Sequence, residues 1–459
     1  MEYNLFGEVL RVQREYFIRG KTRPVEFRLE MLEKLHRTLQ AHESDIFRAL
    51  EQDLGKSPFE SYMSELGMVY EELKLFRRKL KQWAAGKRVP VAMGNWPASG
   101  RIIPEPYGHV LIFSAWNYPL QLALNPVIGA VAAGNCVLLK PSEASPATSA
   151  LLEKIITEAW PSELVSVVVG GPAVGEALLA QKFDLIFFTG STKVGQEVYQ
   201  AAARTLTPVV LELGGKSPCL VDADADLAVT ARRIVWGKFL NAGQTCVAPD
   251  YLLVHQKVKD ALLALLAKEI KQFFGEDPKT NPEYPRIINQ RHCDRLAGLL
   301  AGGGKAYCGG VVDREARYVA PTLLAEVHPD AQIMHEEIFG PILPVLEFGR
   351  LEEAISFVNK REKPLALYYF GRDKAKAERV VQETSSGGMA INETITHLAN
   401  PAMPFGGVGA SGIGAYHGYH SFTAFSHLKP VMSKPTWPDL PLRYPPFGKG
   451  LGMLRWLLG

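Results

Sequence analysis

Apolar residues between positions 24 and 53 recur at helical spacing: Leu29, Leu32, Leu35 and Leu39, then Ile46, Phe47 and Leu50. The same style continues over 64–85, so the chain is expected to open on helices. From Gly86 to Tyr107 the pattern breaks into Gly, Pro and short β-like pieces, which reads as an excursion such as a hairpin arm. Beyond 108 the pattern alternates. Apolar runs at 109–113, 136–140, 165–169, 185–189 and 208–212 are separated by helix-compatible segments at 120–133, 146–159, 172–181 and 192–203. Continuous apolar strands between helices predict a parallel sheet buried on both faces. Such sheets hold ligands beyond the carboxyl ends of their strands. A second α/β stretch is expected over 213–400, with a helix near 225–240, a strand at 251–254 and a long helix at 257–273. Residues 401–459 are rich in Gly, Pro and aromatics and read as extended structure wrapping onto the rest. No internal repeat or low-complexity tract interrupts the chain.

Composition narrows the classes. A length of 459 residues suggests two or three domains, and 47% hydrophobic with 22% charged residues is ordinary for a soluble globular protein. A net charge of +3 gives no electrostatic reason to expect nucleic acid as a partner. The five cysteines, Cys136, Cys219, Cys246, Cys293 and Cys308, are scattered without C-x-x-C spacing. That argues against a metal site and for a reducing compartment, hence a cytoplasmic location. The N-terminus lacks the apolar run of a signal peptide, and no stretch has the length of a membrane span. The tail from Leu451 to Gly459 is apolar but short. It is expected to dock as a terminal helix, with weak interfacial anchoring as the other reading.

Several short motifs carry candidate chemistry. In Asn241-Ala-Gly-Gln-Thr-Cys246 an upstream glycine lets backbone approach a reacting carbonyl, and the cysteine is either a nucleophile or a small buried hydrophobe. Leu211-Glu-Leu-Gly-Gly-Lys216 puts Glu212 at the end of an apolar strand, where burial would tune it as a general base; a solvated or ion-paired glutamate is the bland reading. Phe187-Phe-Thr-Gly-Ser-Thr-Lys-Val-Gly195 runs from a strand into a helix, so its amides either face a pyrophosphate or form an ordinary turn capped by Ser191 or Thr192. Lys140 and Glu143 follow the 136–140 strand and are either ribose contacts or a polar loop. Asn117, in Ala115-Trp-Asn-Tyr-Pro119, is either an oxyanion donor or the cap of a helix starting at Pro119. Glu336-Glu-Ile-Phe-Gly-Pro341 offers glutamates for a ribose and a phenylalanine for a planar ring, or is a plain loop. Gly407-Val-Gly-Ala-Ser-Gly412 matches G-x-G-x-x-G, but no strand precedes it and no acidic residue follows at the required distance, so it reads as a glycine-rich turn.

Taken together and in this order, these motifs resemble the aldehyde dehydrogenase superfamily over nearly the whole chain. The segments Pro404–Gly418, Ser421–His427 and Asp439–Pro446 resemble its class 3 branch. The resemblance implies an α/β fold with a Rossmann-like parallel-sheet cofactor domain (1–86 and 106–212), a second α/β catalytic domain (213–412) and a small β oligomerisation arm (87–105 and 413–440). The tail 441–459 would be a possible gate helix, and the assembly a homodimer. It implies Cys246 as nucleophile and Glu212, 34 positions earlier, as general base. Asn117 would be the oxyanion donor, together with the Cys246 N–H. Lys140 and Glu143 would touch the adenosine ribose, and Gly190, Ser191 and Gly195 would form the pyrophosphate turn. Glu337 would hold the nicotinamide ribose with Phe339 beside it. Tyr118, Leu122, Trp236, Leu240, Thr245, Ile395 and Phe405 would line an aldehyde tunnel. That lining carries no Arg or Lys, so apolar aldehydes, aromatic or medium-to-long aliphatic, are expected. Glu143 favours NAD, with NADP tolerated. The rival readings are a coenzyme A-acylating dehydrogenase, which would not need Glu212, and a silent structural homologue of the same fold.

Overall fold

The helical spacing of the first 85 residues resolves into helices at Glu2–Ile18, Val25–Ala41, Glu43–Leu54 and Gly67–Ala84 in the computed structural model, which describes residues 2–439, 444–447, 450–452 and 455. The 24–53 pattern is two helices, not one. They break at His42, whose ring lies between Asp45 (3.0 Å) and Glu158 (2.9 Å). The expected tail helix and gate at 441–459 fall largely outside the described residues.

Among the described residues eighteen strands follow in chain order. β1 (Lys87–Val89) and β2 (Ser99–Pro106) precede β3 (His109–Phe113), β4 (Cys136–Lys140), β5 (Val165–Val167), β6 (Leu185–Thr189) and β7 (Val209–Glu212). Then come β8 (Pro218–Val221), β9 (Tyr251–His255), β10 (Lys305–Cys308), β11 (Val312–Asp313), β12 (Tyr318–Val319), β13 (Thr322–Ala325) and β14 (Ile342–Phe348). β15 (Ala366–Phe370), β16 (Gly388–Ile391), β17 (Gly412–Ile413) and β18 (Ser426–Ser433) complete them. One sheet has the order β17-β7-β6-β3-β4-β5, parallel except for β17. A second has the order β10-β13-β14-β9-β8-β15-β16, parallel except for β10. An antiparallel ribbon β1-β2-β18 stands apart from both, while β11 and β12 pair with each other. The protein is thus a mixed α/β fold built on two parallel sheets.

Every residue of β3 and β4 is buried. Helices cover the faces: Leu32, Leu35 and Leu39 of the second helix share one core with Val110 and Leu139 of the sheet. Side chains buried on both faces leave the strand ends as the places where polar groups gather. The glycine-rich segment 407–412 is indeed a turn. It delivers Gly412 onto Glu212 in antiparallel register, and an added Cβ at Gly407 would lie 2.0 Å from the Ser411 carbonyl oxygen.

Candidate active site

Cys246 sits where two cavities meet, lining both. The cavity of about 480 Å³ runs along the carboxyl ends of β6 and β7, past Thr189, Gly190, Ser191 and Glu212 and across to Glu337 and Phe339. The cavity of about 240 Å³ holds all seven residues expected in the tunnel: Tyr118, Leu122, Trp236, Leu240, Thr245, Ile395 and Phe405. No charged side chain lines it among the described residues. Leu122, Phe405 and Tyr416 border both spaces, so the sulfur faces polar loops on one side and an apolar tube on the other.

The turn that carries the cysteine is backbone in an unusual state. Asn241 (φ 52), Ala242 (φ 50) and Gly243 (φ 74) are left-handed in succession, and a left-handed non-glycine residue costs ~1–2 kcal/mol. Side chains offset that cost. Asn241 N donates to Glu60 Oε1 (2.8 Å), Gln244 Nε2 to the Asn241 and Arg286 carbonyls (both 3.0 Å), and Ile288 N to Gln244 Oε1 (2.9 Å). Gly243 admits no side chain, since a Cβ there would lie 2.3 Å from the Gly340 carbonyl oxygen. Burial pushes the Cys246 thiol well above its ordinary value, with the Glu337 and Glu212 carboxyls adding to the rise. The backbone N–H groups of Cys246 and Val247 partly offset it.

Asn117 does not cap a helix. The helix begins at Gln121, and Asn117 Nδ2 donates instead to the Gln244 carbonyl (3.1 Å), tying it to the cysteine turn. Glu212 is 3% exposed, and among the described residues neither of its oxygens has a hydrogen-bond partner. Burial alone raises its carboxyl well above the glutamate range. A carboxyl in that state favours its neutral form and is not held as a structural anion.

The residues of the larger cavity suit a dinucleotide. The helix Thr192–Ala203 presents its N-terminus there, where amides favour phosphate oxygens. Thr189 Oγ1 is buried without a partner among the described residues. Gly214 lies so close to Glu337 that a Cβ would fall 1.9 Å from its carboxylate oxygen. Burial, and then Asp250, raises Glu337 to about 8 against the opposing pull of Gly215 N, Lys216 and Arg295. Phe339, at φ 48, meets Trp116 edge-on at 5.3 Å. Ser191 both lines the cavity and caps the helix, accepting from Val194 N at 3.4 Å. Three residues expected at the cofactor lie outside this lining. Gly195 faces Leu213, whose Cδ2 would lie 2.5 Å from a Cβ, so it sets close helix–strand packing and does not line the cavity. Lys140 and Glu143 lie beyond that lining at the end of β4, paired with each other at 2.7 Å. Burial is the largest single influence on Glu143 and works against its ionisation, but the Lys140 hydrogen bond, its own backbone N–H and the Lys140 charge together outweigh burial and hold the carboxyl low.

Some lining residues escaped the sequence reading. Trp116 and Tyr416 lie inside quoted motifs and were findable there. Met63 and His292 carry no local signal, because only the tertiary fold brings them to the site.

A sequence profile of the aldehyde dehydrogenase family matches residues 8–431, and the chain belongs to that family. It is 45% identical to the 4,4'-diaponeurosporen-aldehyde dehydrogenase of Staphylococcus aureus, over 97% of both chains. It is 46% identical to the dimeric NADP-preferring aldehyde dehydrogenase of Canis lupus familiaris, over 96% of this chain and 97% of the relative. The solved substrate-bound state of Staphylococcus aureus AldH superposes with a TM-score of 0.97 at 44% identity, covering 99% of each chain. The enzyme is accordingly an aldehyde dehydrogenase of the class 3-like branch, and NAD(P) is its cofactor.

Proposed function

We propose that the enzyme oxidises apolar aldehydes, aromatic or medium-to-long aliphatic, to carboxylic acids through a thioester on Cys246. The observation that carries this reading is the position of Cys246 between an uncharged apolar tunnel and a cavity suited to a dinucleotide. The Cys246 sulfur adds to the carbonyl carbon, and its proton leaves to an ionised Glu212 or to water. Asn117 Nδ2 and the Cys246 N–H hold the oxyanion that forms. A bound nicotinamide dinucleotide supplies the acceptor for the hydride lost from that carbon. Glu212, once any thiol proton it received has passed to solvent, takes a proton from water, whose oxygen attacks the thioester; the carbon–sulfur bond breaks, the acid leaves, and that proton returns to the Cys246 sulfur.

Gly190, Ser191, Glu337 and Phe339 would hold the phosphate and nicotinamide-ribose half of the cofactor. Lys140 and Glu143 would meet the adenosine ribose further along the sheet edge. Glu143 disfavours a 2′-phosphate by charge, yet the Canis relative prefers NADP, so NAD with NADP tolerance is the reading. Among the described residues no strand pairs with the outer edge of β18 in the ribbon β1-β2-β18, and Leu428 and Met432 on that strand are exposed, which suits pairing with a second copy in a homodimer. Among the described residues no helix is long and apolar enough to cross a membrane.

A substrate panel run with NAD and with NADP tests the reading. Hexanal or benzaldehyde is expected to exceed succinate semialdehyde in kcat/KM, because no cation in the tunnel compensates a desolvated carboxylate. Preference for the anion would refute the tunnel assignment. The product is expected as free acid even with coenzyme A present.

A further inference from the structure

Two opposite charges lie in the core beside the active site with no role in the chemistry just described. Lys56 and Glu65 are both 0% exposed and pair at 2.5 Å. Removing two ions from water is expensive, and apolar replacements of such pairs are often neutral or stabilising. Stability is therefore a poor reason for the pair, and its other contacts supply a better one. Lys56 Nζ also donates to the Asn117 carbonyl (3.0 Å) and stands 4.1 Å from the Tyr118 ring centroid. Glu65 Oε2 accepts from Leu120 N (2.8 Å) and Gln121 N (3.4 Å), the start of the helix that follows the Asn117 loop. Glu65 itself sits in a π-helical turn, Tyr62–Leu66, a local departure that concentrates at functional sites. The turn depends on Gly67, where a Cβ would lie 2.7 Å from the Tyr62 carbonyl oxygen.

The second donor to the Asn117 carbonyl is Asn241 Nδ2 (2.7 Å), from the left-handed turn before Cys246. One carbonyl oxygen thus receives an ammonium and an amide, which fills both lone pairs and fixes the peptide plane. The Asn117 side chain gives one N–H to the Gln244 carbonyl and keeps the other for the cavity it lines with Cys246.

We infer that Lys56, locked by Glu65, is a positioning residue for the oxyanion step: it sets the Asn117 peptide so that the free amide N–H meets the oxygen of an aldehyde bound at Cys246. The inference rests on the proposed role of Asn117 and extends it to a residue that touches no substrate. A displacement of about 1 Å in such a donor costs on the order of 100-fold in rate.

The test is a double-mutant cycle between the pair and Asn117. Lys56→Met with Glu65→Gln removes both charges together and leaves an acceptor for Leu120 N. Single-turnover NAD(P)H formation is expected to fall about 10- to 100-fold. The KM for NAD and the rate of Cys246 alkylation by iodoacetamide should stay within about twofold, as a merely loosened fold would not allow. In an Asn117→Ala background the same pair of changes should add less than about twofold, because the group it positions is gone. Full multiplication of the two losses, or an unchanged rate in a folded variant, would overturn the inference. If Asn117→Ala alone leaves the rate intact, the oxyanion assignment fails instead. Should the double variant not fold, Lys56→Arg enters the same cycle with the same criteria, keeping the charge but moving the donor.

Discussion

Cys246→Ala is expected to reduce aldehyde oxidation to background, a loss on the order of 10⁶-fold by comparison with other deletions of a covalent nucleophile. The physical reason is that, in the proposed mechanism, the remaining residues only stabilise or deprotonate something the sulfur has formed. Without a sulfur–carbon bond there is no tetrahedral oxyanion for Asn117 and no thioester for Glu212. The other cysteines offer no substitute. Cys136, Cys219 and Cys293 are buried in cores, and half-buried Cys308 lies on β10 at the far edge of the second sheet from β8. The check is NAD(P)H formation in Cys246→Ala and in Cys308→Ser, with dinucleotide binding followed separately. The first variant should bind cofactor and turn nothing over, and the second should behave as the parent. Oxidation that survives in Cys246→Ala would remove the covalent mechanism altogether.

The sequence was readable where structure is local. β3, β4 and β6 have the residue bounds of their apolar runs, because four or five consecutive buried positions leave no ambiguity of face. β7 starts at Val209 rather than at Pro208, which has no N–H to give the ladder. The break at His42 was invisible, since Leu39 and Ile46 keep helical spacing across it while the interruption depends on Asp45 and on distant Glu158. The site followed the same division. Motif residues at strand ends were found by type and order, and the tunnel set came entirely from family resemblance. Gly195 and the pair Lys140–Glu143 show the limit. A motif marks a turn or a strand end, but what each residue meets depends on what packs there, Leu213 against the Gly195 backbone, and Lys140 and Glu143 against each other. Lys56, Glu60 and Glu65 have no motif at all, because the partners of their side chains lie between 55 and 181 positions away apart from the pair's own contact.

Glu212→Gln should separate the two halves of the reaction. The carboxyl is buried, its oxygens have no hydrogen-bond partner among the described residues, and its proton affinity is raised by burial. A group in that state is protonated over more of the pH range than a solvated glutamate, and only its ionised form takes a proton from water. Hydrolysis of the thioester is therefore expected to quicken as pH rises above the ordinary glutamate range, in step with the ionised fraction. Glutamine keeps the size of the side chain but accepts no proton, so the acyl group should stay on Cys246. The expected result is a burst of NAD(P)H close to one equivalent, followed by a steady state lower by about 10²–10⁴-fold, the usual contribution of a positioned base. Mass spectrometry of the quenched variant should find the acyl adduct. The Cys246 thiol is also raised by burial, so steady-state pH profiles mix both groups. The burst rate follows the thiol and the later phase follows Glu212. A later phase that keeps its pH dependence in the glutamine variant would show that another group activates the water. Loss of the burst itself would place Glu212 in the first half of the reaction, as the base that receives the thiol proton.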